Sequence, residues 1–130
     1  MPFSNSIAQE IAGLDQRDPY RILLENMRLE ALGRNNSKAF GVIEAELAQR
    51  GVNVTQTQFQ QTLLKKSRGG QVFIGSTDHG PHRSYFLIET PDDAEVAREF
   101  YRRRIHDQQV NLNLLEDLMR QAFPNHQINN

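Results

Sequence analysis

The chain has 130 residues, 38% of them apolar, no cysteine and a formal net charge of −1, which suits one small folded domain. Without cysteine there is no disulfide framework, thiolate zinc finger or thiol nucleophile. No apolar run nears the roughly 20 residues that span a bilayer, and Met1–Ser6 lacks the basic and apolar segments of a secretory signal, so a reducing cytoplasm is the expected compartment.

Ile7, Ile11 and Leu14 recur at helical spacing after Ser6, which predicts a short first helix ending near Gly13. Asp18-Pro19 starts a second helix, because Asp caps free N–H groups and Pro needs no donor in the first turn. Tyr20, Leu23, Leu24, Met27 and Ala31 line one face of it, with Ile22 and Leu29 on another, and Gly33 with Asn35-Asn36 ends it. Ser37 caps a third helix, Ser37–Arg50, with Phe40, Ile43 and Leu47 inward and Gly51 in the left-handed position that closes a helix. Val52 and Val54, alternating with Asn53, suggest one small strand.

Thr55 caps a fourth helix, Thr55–Arg68. Its helical wheel places Phe59, Thr62 and Leu63 inward and Thr57, Gln58, Gln61, Lys65 and Arg68 outward, with no acid among the outer residues. Gln can bond adenine bidentately, Lys and Arg can meet guanine or phosphate, and Thr can meet a thymine methyl. Gly69-Gly70 ends the helix. Two β-rich runs follow, Gln71–Ile74 and Ser84–Glu89, and the long polar loop between them bends at Gly80-Pro81. Ser76, Thr77, His82 and Arg83 lie in that loop with hydroxyl, imidazole and guanidinium groups suited to phosphate oxygens. From Thr55 to Arg83 the cations Lys65, Lys66, Arg68 and Arg83 face Asp78 alone, whereas the segment after Pro91 leans acidic.

Thr90-Pro91-Asp92-Asp93 opens a further helix, with acids at the positive end of its dipole. Ala97, Tyr101 and Ile105 recur at helical spacing, then Leu112, Leu115 and Met119, and the asparagines predict a break near Val110–Asn113. Leu114, Leu118 and Phe123 stand beside this face, and the tail from Asn125 is expected to fray. The first and last helices carry more apolar surface than a small core needs, which points to a dimerisation layer; packing on one another in a monomer is the alternative.

Asp78, His79 and His82 are close enough in sequence to ligate a metal, but a Gly-Pro loop is a poor frame for a preorganised site, and no metal or cofactor is expected. Arg102-Arg103-Arg104 spreads around a helix, where Glu99 suggests exposed ion pairs. The chain has no phosphate loop, nucleophile elbow or His-Glu-x-x-His motif, and pairs such as Asp92/Asp93 face different sides of a helix, so catalysis is not expected.

The order of elements resembles the winged helix-turn-helix superfamily of bacterial transcriptional regulators, and is most similar to small MarR-type or PadR-type proteins. The resemblance rests on Ser37–Arg50 as supporting helix, Thr55–Arg68 as recognition helix and Gln71–Glu89 as wing. It covers nearly the whole chain as architecture, without a motif specific to one family. In the MarR group an Asp and an Arg near the wing tip hold its shape and reach the minor groove; Asp78 and Arg83 resemble them loosely, although the intervening Gly-Pro departs from that group's compact pattern. The resemblance implies an α+β, mainly α fold with a two-stranded wing: N-terminal helices (1–36), a winged core (37–90) and C-terminal helices (91–130) in one compact domain. It implies a dimeric, sequence-specific binder of double-stranded DNA that reads bases with Thr57, Gln58, Gln61, Lys65 and Arg68 and follows the backbone with Ser76, Thr77, His82 and Arg83. The alternative is a winged helix used for protein contacts, as adaptor, inhibitor or assembly subunit. An effector, if one exists, would sit near Tyr20, Phe40 or Tyr101.

Overall fold

A computed structural model describes residues 3–69, 72–79 and 82–128, and the side chains of residues 3–6, 68, 69 and 79 lie outside that description. The fold is mainly helical with a small three-stranded antiparallel sheet in the order β1 (Lys38–Ala39), β3 (His82–Leu87), β2 (Ile74–His79). The chain divides into two compact units, Met1–Ala97 and Arg98–Asn130. Among the described residues no helix is long and apolar enough to cross a membrane.

The first unit opens with α1 (Phe3–Ala12) and α2 (Pro19–Glu30). Asp18 caps α2 as expected: its Oδ1 accepts the N–H of Tyr20 at 2.9 Å, and Pro19 sits in the first turn. Tyr20, Leu23, Leu24, Met27 and Ala31 are buried, whereas Leu29 is exposed. A 3₁₀ turn (Arg34–Asn36) leads to β1 (Lys38–Ala39) and α3 (Phe40–Gln49). The third helix thus starts at Phe40 and not at Ser37, because Lys38 and Ala39 are drawn out to pair with Tyr85 and Ser84 of β3. Gly51, at φ 82°, ends α3 in a Schellman arrangement, with Gly51 N–H on the Ala48 carbonyl and Val52 N–H on that of Leu47. Val52 and Val54 form no strand; both pack half-buried against the first unit's core.

Three helical pieces then follow without a break: α4 (Gln56–Gln58), a π-helical turn (Phe59–Leu63) and α5 (Leu64–Gly69). The N–H of Leu64 bonds the Phe59 carbonyl, closing the wide turn. The sheet is completed by β2 (Ile74–His79) and β3 (His82–Leu87), in register from Ile74↔Leu87 to His79↔His82. The strands therefore sit further towards the tip than Gln71–Ile74 and Ser84–Glu89, and most of the expected loop is paired ladder. Gln71 and the Gly80-Pro81 bend lie outside the described residues.

α6 (Pro91–Ala122) is one helix with no break at Val110–Asn113. Gln109 Nε2 donates to Asn113 Oδ1 at 2.9 Å, so the asparagine is held across a helical turn instead of turning back on the backbone.

Asp93 ties the start of α6 to the rest of the first unit. Its carboxylate is buried and accepts N–H bonds from Arg34 (3.0 Å), Glu89 (3.0 Å) and Thr90 (3.1 Å), and a guanidinium bond from Arg34 Nη1 (2.8 Å). The Asp93 N–H returns a bond to Thr90 Oγ1 at 3.2 Å, closing a reciprocal cap. Burial opposes the charge, but the backbone donors and the Arg34 guanidinium outweigh it and hold the carboxyl down at about 2, from 3.8. A carboxyl whose folded pKa is depressed adds stability in full above its unfolded value and loses it as pH falls through the folded value. Asp93→Asn should therefore lower unfolding free energy at neutral pH by about 2 kcal/mol, and denaturant titration should show this deficit shrinking between about pH 4 and pH 2. A constant difference across that window would contradict the assignment.

Candidate nucleic-acid interface

Phe59 and Leu63 recur four residues apart on the 56–69 rod, and the extra residue in the π turn brings Leu64 and Ser67 onto the same buried side. Thr62, expected inward, is exposed instead, since the wide turn rotates the wheel out of the regular helical phase. Phe59 is wedged between Phe40 of α3 (ring centroids 5.3 Å apart) and Tyr85 of β3 (4.8 Å, edge to face). These contacts fix which side of the rod is left to solvent.

Thr57, Gln61 and Lys65 lie on that open side and carry no side-chain hydrogen bond or ion pair to another described residue. Gln58 is exposed but engaged: its Oε1 accepts the Thr55 N–H at 3.0 Å, while its own N–H donates to Thr55 Oγ1 at 3.1 Å. The Gln58 oxygen is thus committed to the cap. The Arg68 side chain lies outside the description. Lys66 leans back onto the body, with Nζ 3.8 Å from Asp18 Oδ1 and 5.7 Å from the centre of the Tyr20 ring.

On the hairpin, Ser76 is buried and does not face outward. Its Oγ accepts both Arg83 Nε (3.1 Å) and Arg83 Nη2 (3.0 Å), and the guanidinium carbon stands 5.1 Å from the Tyr85 ring centroid. Ser76 and Tyr85 therefore aim Arg83. Thr77 is half-buried and His82 exposed. Arg83, His82 and Tyr85 line a groove of about 250 Å³ together with Gln56, Gln60 and Ala39–Gly41 at the start of α3. Among the described residues no side chain caps α3, so its first N–H groups add positive potential to the groove that Arg83 also lines. Gln60 Nε2 reaches the Tyr85 hydroxyl at 3.4 Å.

Gln56 and Gln60 were not foreseen as site residues, although two amides four residues apart share one helix face and could have marked it. Thr57, Gln61 and Lys65 are brought onto one solvent face of the rod, and His82 and Arg83 into the groove between rod and hairpin; Gln58 and Ser76 serve to hold neighbours. Of the residues named for an effector, Tyr20 is buried in the core and Phe40 lines the groove. Among the described residues no group of three or more His, Cys, Asp or Glu is placed to hold a metal; the His79 side chain is outside them.

These roles separate in stability. Gln58→Ala removes half of the reciprocal cap and should lower stability by about 0.5–1 kcal/mol, whereas Gln61→Ala should leave it within about 0.5 kcal/mol. Thermal unfolding of both variants checks this, and equal losses would contradict it.

No family model matches the chain, and neither a curated protein nor a solved structure matches it.

Proposed function

We propose that the chain is a sequence-specific DNA-binding protein, a winged helix-turn-helix acting as a dimeric regulator of transcription in the cytoplasm. In this reading α3 is the supporting helix, the 56–69 rod is the recognition helix and the β2–β3 hairpin is the wing. The observation that carries it is the open, acid-free side of the rod, with Thr57, Gln61 and Lys65 exposed beside a groove that holds Arg83.

Each part has a task that follows from its chemistry. Gln61 offers one donor and one acceptor, the pattern that adenine presents in the major groove. Lys65 is a mobile point charge suited to phosphate or guanine, and the Thr57 methyl and hydroxyl suit thymine or a phosphate oxygen. A backbone phosphate at the mouth of the groove would meet Arg83, already oriented by Ser76, and the uncapped N–H groups of α3. His82 would add charge on protonation. Two such heads related by two-fold symmetry would read half-sites about 34 Å apart.

A winged helix that docks on protein is the rival, and the net charge of −1 favours it, because non-specific affinity for DNA rises with positive charge. Fluorescence anisotropy on a random-sequence duplex pool separates the two. DNA reading predicts binding at about 50 mM salt that falls steeply by about 200 mM. Lys65→Ala should weaken all sequences alike, and Gln61→Ala should relax discrimination at one base position by about 1–3 kcal/mol. No binding at low salt, or unchanged affinity in both variants, would give the case to the rival.

A further inference from the structure

The second unit leaves a long apolar face uncovered: Ile105 is 70% exposed, Leu112 47% and Leu115 55%. Tyr101, Ile105, Gln108, Leu112, Leu115 and Met119 follow one another at alternating steps of four and three residues. That alternation keeps one seam turned towards a partner helix over many turns. A shallow groove of about 380 Å³ already runs along the seam beside Tyr101, Ile105 and Leu112.

Charge decides what covers it. Arg98 and Arg102–Arg104 outnumber Glu99 and Asp107 in the first half of the unit, while in the second half Glu116 and Asp117 outnumber Arg120, which stands 3.6 and 3.0 Å from them. A second copy laid parallel would set the arginine cluster beside its twin. Laid antiparallel, the same copy brings arginines against acids at both ends, so the helix is complementary to itself. The seam then selects a register. With Val110 at the two-fold centre, Ile105 meets Leu115 of the second copy, Gln108 meets Leu112, and Tyr101 meets Met119, each pair equidistant from residue 110. In the same register Arg102, beside the seam, comes next to Glu116 of the second copy. The overlap from Tyr101 to Met119 is about 27 Å at about 1.5 Å per residue.

We propose that the second unit pairs with a second copy of itself as an antiparallel two-helix seam centred on Val110. This rests on the dimeric half of the proposed function and not on its DNA-binding half.

Light scattering should give a mass of about 30 kDa, twice that of the 15.0 kDa chain. Because the chain has no cysteine, introduced thiols report pairing without background. Ile105→Cys and Leu115→Cys proteins, co-expressed and oxidised, should form a mixed disulfide dimer, while neither alone should cross-link. Arg102→Glu and Glu116→Arg should each raise the dissociation constant about twofold to fivefold, and the double variant should restore it. All four positions but Glu116 are exposed, and Glu116 is half-buried, so folding should survive. A single-chain mass, cross-linking of Ile105→Cys to itself, or absence of rescue would overturn the proposal. A monomer that binds DNA would end the pairing and leave the DNA reading, and a dimer that binds none would do the reverse.

Discussion

The side chain of Phe59 is the constraint on which the candidate interface depends. Fully buried, it joins three elements at once: the rod that carries it, α3 through Phe40, and β3 through Tyr85. Each ring pair adds about 0.5–1.5 kcal/mol beyond simple burial, and the edge-to-face contact with Tyr85 also restricts rotation of the rod about its axis. With Phe59, Leu63 and Leu64 inward, Thr57, Gln61 and Lys65 are left outside. The same tyrosine lies under Arg83 and within reach of Gln60. One aromatic contact thus sets both the exposed side of the helix and the position of the cation beside it.

A polar hub does comparable work further from the rod. Asp93 gathers the Arg34 turn, the residues after β3 and the first turn of α6 on one buried carboxylate. The Arg34 turn leads directly into β1, and β1 pairs with the strand that bears Tyr85 and Arg83. Asp93 therefore anchors the frame that holds the groove, whereas Phe59 orients the helix lying across it. The two work through different physics: packing in one case, satisfied charge in the other.

Helix boundaries set by local chemistry were legible in the sequence. Asp18-Pro19, Gly51, Thr55 and Thr90-Pro91 all mark real starts or stops, because caps depend on neighbours within a few residues. Features that depend on distant partners were not legible. Lys38 and Ala39 become a strand only because β3 passes beside them, and the polar residues 75–78 pair only because a second strand satisfies their backbone. The π turn leaves no local mark in the sequence, so a regular helical wheel turns Thr62 inward although it is exposed. Ser76 read as a phosphate ligand, since nothing nearby in sequence told of Arg83 folding across the hairpin onto its oxygen. In α6 the asparagines suggest a break, whereas the helix runs straight through them and Gln109 bonds Asn113 across one turn.

The proposed function requires that the open side of the 56–69 rod, with the adjoining groove, meet DNA. Amide chemical shifts followed during titration with a duplex selected from a random pool test it most directly. DNA binding on this side should concentrate the shifts at Thr57–Lys65 and at His82 and Arg83, with the side-chain amide of Gln61 among the most displaced. Shifts gathered elsewhere while these signals stay in place would contradict it.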